Sequence, residues 1–127
     1  MKKWLILLKI SKYPLIEEVS KSGYYWTAFH FASHYGKVDI LKYIIWAYQN
    51  HENSYDIFNL QTAEGKTPLF WWISSGDISL ELKNRVVELW LQTGLIDFSL
   101  RKRTGENLVE LAKKNGVKIE HLMIRED

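Results

Sequence analysis

Gly65-Lys-Thr-Pro-Leu-Phe-Trp-Trp-Ile-Ser-Ser-Gly76 is the stretch on which the fold turns. Thr67 is a helix N-cap residue, its side-chain oxygen suited to accept from the first unpaired amides of a helix. Pro68 follows at the first helical position, where its missing N–H costs nothing and its fixed φ already suits the helix. Nine residues after Thr67, Gly76 can adopt the left-handed conformation that closes a short helix. The same pattern stands forty residues earlier, in Trp26-Thr-Ala-Phe-His-Phe-Ala-Ser-His-Tyr-Gly36. It stands again forty residues later, in Glu106-Asn-Leu-Val-Glu-Leu-Ala-Lys-Lys-Asn-Gly116. Anchors Thr27, Thr67 and Asn107 each precede a glycine by nine positions, so the chain carries an internal repeat of two-turn helices.

Outward from each glycine comes a second apolar segment. Val38, Ile40, Leu41, Ile44 and Ile45 follow Gly36, and Val86, Val87, Leu89, Trp90 and Leu91 follow Gly76. Spacings of three and four mark helices burying one side, so the unit reads as helix, turn, helix. Trp46, Trp90, Ile44 and Leu91 are expected in the core of these second helices, and Phe31, Trp71 and Leu111 in the packing between units. Gly65 and Gly105 lie in polar stretches that read as tight turns projecting from the helices.

These residues resemble the ankyrin repeat, whose pattern runs Gly-x-Thr-Pro-Leu-His-x-Ala-Ala-x-x-Gly. Gly65-Lys-Thr-Pro-Leu-Phe70 through Gly76 follows it closely, Thr27-Ala-Phe-His30 with Ala32 and Gly36 is a second match, and Gly105 through Gly116 a degenerate third. The resemblance implies an all-α fold: an ankyrin-repeat solenoid of stacked helix-turn-helix units with projecting β-turn loops. It divides a single domain, residues 1–127, into capping helices at 1–22, a first repeat at 23–62, a second at 63–102 and a degenerate closing repeat at 103–127. A cap is physically required, because an end repeat otherwise leaves an apolar face wet.

The chain also departs from the pattern. Forty residues exceed the family's period of about 33, leaving roughly seven extra residues to house in each of two units. In the first, Ala47 to Asp56 is expected to form a longer loop. In the second, the surplus around Asp77 to Lys83 precedes the Val86 helix and can lengthen it. Trp72 stands where the family has a small alanine, so the stack must open there. Tyr25 replaces the first turn glycine, with Gly23 taking its part. Val117, Ile119, Leu122 and Met123 read as the inward side of a closing helix.

Composition bounds the rest. At 46% hydrophobic and 25% charged, the 127 residues match a globular protein and exclude disorder as the overall state. A net charge of +2 is too small to drive binding to a phosphate backbone, which argues against nucleic acid. The absence of cysteine excludes disulfides and thiolate chemistry, and with the resemblance it suits an intracellular setting, cytoplasmic or nuclear. Apolar runs such as Trp4 to Leu8 fall far short of the roughly twenty residues of a membrane span. Lys9 interrupts the signal-like start, and no small-residue cleavage site follows, so the beginning reads as folded protein.

No constellation points to catalysis. His30 and His34 share a helix face at metal-pair spacing, but no third ligand is near, and His30 occupies the family's turn-bonding position. Glu17 and Glu18 are adjacent and so do not face each other. Gly65-Lys66-Thr67 lacks the paired glycine and preceding strand of a phosphate loop. No metal, cofactor or enzymatic activity is expected.

In the resembled family, turn tips and the exposed side of each first helix line a concave partner-binding groove. Position by position, this implies Tyr24, Trp26, His34 and Tyr35 in the first repeat. It implies Glu64, Lys66 and Ser74, with Ala63 and Ser75, in the second. In the third it implies Arg103, Glu106 and Lys114, with Thr104 and Asn115. Only the first set is aromatic, the chemistry most enriched at binding hot spots, though Tyr24 and Trp26 could equally pack on the cap. Residues 101–118 carry a local charge of +4, whereas residues 46–64 carry −3. The implied function is non-catalytic binding of a protein or peptide, with the oligomeric state open. The alternative is a reader of modified or cationic peptides, with Tyr24, Trp26, Tyr35 and Trp71 enclosing a methyl-lysine.

Overall fold

The structure is a computed structural model and describes residues 27–119. Within them the chain is all-α, without a named strand. Six helices follow in order: α1 (Ala28–His34), α2 (Val38–Tyr48), α3 (Ser54–Phe58), α4 (Pro68–Ser74), α5 (Leu80–Gln92) and α6 (Leu108–Lys114). The expected capping helices at 1–22, the Gly23/Tyr25 turn, Leu122 and Met123 lie outside the described residues.

The three anchors start their helices as their chemistry dictates. The Thr27 and Thr67 hydroxyls accept from the amides of His30 and Phe70, and the Asn107 side chain accepts from Glu110 N–H at 2.9 Å. Endings divide them. After α1 and α6 the chain turns through Gly36 (φ 67°) and Gly116 (φ 72°), and Lys37 and Val117 donate back to the carbonyls of Ala32 and Ala112, each at 2.9 Å. This is the paired backbone closure that a left-handed glycine permits. After α4 the expectation fails. Gly76 is not left-handed; Asp77 is, at φ 59°, and the chain leaves the helix at Ser75 in extended conformation.

Trp72 accounts for the change. It sits at 0% exposure where its counterparts are Ala32 and Ala112, and its indole N–H donates to the Lys83 carbonyl at 3.1 Å. An indole at that position holds the next helix away from the turn, and the surplus residues bridge the gap. Part of that surplus extends α5, which spans thirteen residues against eleven in α2. The loop expected over Ala47 to Asp56 is corrected more sharply. Ala47 and Tyr48 complete α2, and Ser54–Phe58 forms a short helix because Ile57 and Phe58 find apolar cover.

α1 packs against α4 and α4 against α6, while α2 packs against α1 and α5. The core between the rows is aromatic. Phe29 stacks on Trp90 with centroids 5.2 Å apart, and Phe58 meets Phe29 edge-on at the same separation. Burying each such ring contributes about 1.5–3 kcal/mol. Ile44 and Trp90 lie in this core as expected and Leu91 is half-buried, but Trp46 is 69% exposed on the outer side of α2. Its position in the apolar run does not fall on the buried stripe of Ile40, Leu41, Ile44, Ile45 and Tyr48. Leu89 is likewise exposed on α5. Val117 and Ile119 are buried beyond α6 without helical structure, so the expected closing helix does not begin by Ile119.

Two hydrogen-bonded turns project beside the first helices. Thr62 N–H donates to Lys66 O and Gly65 N–H to Thr62 O; forty residues on, Lys102 donates to Glu106 and Gly105 to Lys102. Gly65 is left-handed at φ 81°, and a Cβ there would come within 2.9 Å of the Lys102 and Arg103 backbone, so only glycine lets the turns approach. Arg103 N–H donates to Glu64 O at 2.8 Å and locks one tip to the next. Among the described residues, no helix is long and apolar enough to cross a membrane.

Candidate functional site

Helix α1 brings His34 and Tyr35 to one surface, together with a residue expected only in packing, Phe31. Phe31 is 43% exposed and Tyr35 62%, and their rings stack at 6.4 Å. Four residues separate them, one helical turn, which is why they share a side. His34 meets Tyr35 edge-on at 4.6 Å, then crosses to the next unit and meets Trp71 at 4.9 Å. Over the Trp71 ring lies the Lys66 ammonium, 4.0 Å from its centroid, in a cation–π contact. Phe31 and Tyr35 thus form an exposed pair of rings, which the half-buried His34 and Lys66 join to the buried Trp71 across α1, α4 and the second turn. The i, i+4 spacing of Phe31 and Tyr35 was the sequence signal for the missing member.

Other expected positions are placed less uniformly. Ser74 is exposed, but its hydroxyl donates back to Phe70 O at 3.0 Å, and Ser75 is buried with its hydroxyl on Trp72 O at 2.7 Å. Ser75 is therefore corrected from a partner-facing residue to a helix-closing one. Glu64 is half-buried and its carbonyl is held by Arg103, while Ala63, Arg103 and Thr104 are exposed at the tips. The Asn115 amide donates to Leu111 O. Glu106 is internally engaged: its carboxylate lies 2.8 Å from Lys102 Nζ and 3.1 Å from Lys114 Nζ, with its side chain 15% exposed. Hydrogen bonds from Lys102 and then Lys114 hold that carboxyl below its ordinary range. Lys114 keeps 68% of its side chain in solvent. Tyr24 and Trp26 lie outside the described residues.

His30 has a different task. It is fully buried, its Nδ1 accepts from Thr27 N–H at 3.0 Å, and its Nε2 lies 2.8 Å from Leu60 O. A backbone amide can only donate, so Nδ1 is unprotonated and Nε2–H donates to the carbonyl. Burial pushes the imidazole down to about 4, against the raising effect of its backbone hydrogen bonds. With both nitrogens engaged, His30 has no lone pair to share with His34 in a metal site. Among the described residues, no cluster of three His, Asp or Glu stands ready for a metal.

A buried cation closes α4. The Lys83 ammonium donates to Ile73 O at 3.2 Å and to Ser75 O, and burial pushes its titration below the ordinary lysine range.

Compared with protein-family models, with curated proteins and with solved structures, the chain matches none.

Proposed function

We propose that the chain is an ankyrin-type solenoid and an intracellular, non-catalytic binding module, taking a protein or peptide on the face formed by its first helices and turn tips. The observation that carries the reading is the ring surface from Phe31 and Tyr35 through His34 to Trp71. Phe31 and Tyr35, exposed at a helix end and bordered by charged tips, bury much area at little entropic cost when a partner arrives. Side-by-side first helices, tip-to-tip turns locked through Glu64 and Arg103, and the forty-residue recurrence support the solenoid. An aromatic cage for methyl-lysine is disfavoured at Trp71, which is buried and already faces the Lys66 ammonium.

The test compares two surface variants by affinity capture and mass spectrometry. Tyr35→Ala should leave the helical circular dichroism intact and lose the captured partner, whereas Trp46→Ala, on the outer side of α2, should keep it. A partner that ignores Tyr35 and depends on Trp46 would move the site to the opposite side.

A further inference from the structure

We propose that the partner is an extended acidic peptide with one aromatic or large aliphatic anchor, the anchor seated on Tyr35 and Phe31 and the carboxylates running toward the third unit. The inference rests on the binding face described above and adds the chemistry and direction of what lies on it.

Polarity along the face is the argument. Positions forty apart occupy equivalent places in successive units. His34, Ser74 and Lys114 form one row, ending on a cation; in the row of Phe31, Trp71 and Leu111 the ring is exposed at Phe31 while Trp71 and Leu111 are buried. At the α1 end the surface is made of rings, at the second turn it gains the Lys66 ammonium, and at the third unit it is cationic. Arg103 is exposed at its tip, and its guanidinium makes no ion pair among the described residues. The carboxylate of Glu106 serves both Lys102 and Lys114, so this trio retains one positive charge. The bond from Arg103 N–H to Glu64 O keeps the second and third tips adjacent, which places Lys66 and Arg103 along one rim. A ligand complementary to that order carries an apolar group at one end and negative charge toward the other.

The spacing follows from the scaffold. Neighbouring helices pack at about 8–10 Å, so α4 lies one step and α6 two steps from the anchor site. An extended chain advances about 3.3 Å per residue, which puts the acidic side chains roughly three and five to six residues from the anchor.

The probe is a phage-displayed library of random twelve-residue peptides selected on the full chain. Enriched sequences should carry an aromatic or large aliphatic residue with Asp or Glu about three and six positions away. Binding of a synthetic winner should weaken with added salt and fall about tenfold on Arg103→Glu, since the Arg103 side chain makes no hydrogen bond or ion pair among the described residues. Arg103→Gln should give a smaller loss in the same direction. Enriched peptides that depend on Tyr35 but show no acidic preference would overturn this inference and leave the binding face standing. No enrichment, or enrichment indifferent to Tyr35→Ala, would overturn both. A labelled single-stranded oligonucleotide that binds the same face more tightly than the selected peptides would also overturn the proposal, since rings beside cations suit stacked bases as well.

Discussion

Ala28–His34 and Leu108–Lys114 begin and end alike, whereas Pro68–Ser74, midway between them at the same stride, shares their side-chain cap but neither the return bond to it nor their ending. In the outer helices the third residue reaches back to the cap: His30 Nδ1 accepts from Thr27 N–H, and Glu110 Oε1 accepts from Asn107 N–H at 2.9 Å. Phe70 stands at that place in the middle helix and has no such acceptor. The outer helices close on a left-handed glycine, while the middle one closes on the Ser75 hydroxyl and the Lys83 ammonium. The middle helix has six buried residues in seven, Pro68 to Ile73, so apolar contact from both neighbours replaces the local backbone devices. One sequence pattern thus yields two ways of ending a helix, decided by the size of a single residue, Ala or Trp, at an equivalent position.

Removing that residue should have the largest effect. Trp72→Ala leaves a void surrounded by groups that are themselves fixed, and is expected to cost about 3–5 kcal/mol in urea denaturation. A loss under about 1 kcal/mol would mean that the surplus residues, not the indole, set the path of the chain.

The first unit is vulnerable to acid instead. Neutral His30 titrates near 4 in the folded chain and near 6.5 when unfolded, so the unfolded state binds more protons between those values. The stability gained from a neutral His30 is complete above about pH 6.5 and is lost as pH falls toward 4, by on the order of 3 kcal/mol in total. Denaturant midpoints measured from pH 7 to 4.5 should fall in the wild type and fall less in His30→Gln. Equal slopes would show that the imidazole does not control the transition.

Lys83→Met comes next. It leaves the carbonyls of Ile73 and Ser75 without their donor but also removes a desolvated charge, so the expected loss is about 1–2 kcal/mol. Chemical denaturation measures it, and an unchanged midpoint would leave the helix end held by Ser75 alone.

The anchors, the forty-residue stride and the helix starts were legible in the sequence because each depends on neighbours within three residues. Thr67, Pro68 and Asn107 act locally, and so does Gly36. The fate of Gly76 was not legible, since it is decided by the volume of Trp72 and by Lys83, seven residues beyond, entering the site from another helix. Trp46 was misplaced because an apolar run with one extra ring does not say which ring faces out. Among the residues of the proposed face, His34, Tyr35 and Lys66 were named from position and Trp71 for the alternative aromatic cage, but Phe31 needed the ring contacts that only the packed units supply. The engagement of Glu106 by two lysines also required the third helix to be in place, since Lys114 is eight residues away.

The smallest effects test the comparison most directly, at the two glycines and the aspartate that differ between units. Gly36→Ala meets the Ile78 side chain at 2.8 Å and forces a left-handed alanine, so a loss of about 1–2 kcal/mol is expected. Gly76→Ala has open space and no left-handed requirement, and should be neutral or stabilise by about 0.5 kcal/mol through the unfolded chain. Asp77→Gly works in the reverse sense, because Asp77 holds the left-handed turn that Gly76 does not. Glycine relieves the strain there but gives the unfolded chain more freedom, leaving a net gain of ~0.5 kcal/mol. Thermal melts of the three variants should therefore order as Gly36→Ala below wild type, with Gly76→Ala and Asp77→Gly at or above it. If Gly76→Ala instead loses as much as Gly36→Ala, the middle turn passes through a left-handed Gly76 in solution, and the two kinds of helix ending collapse into one.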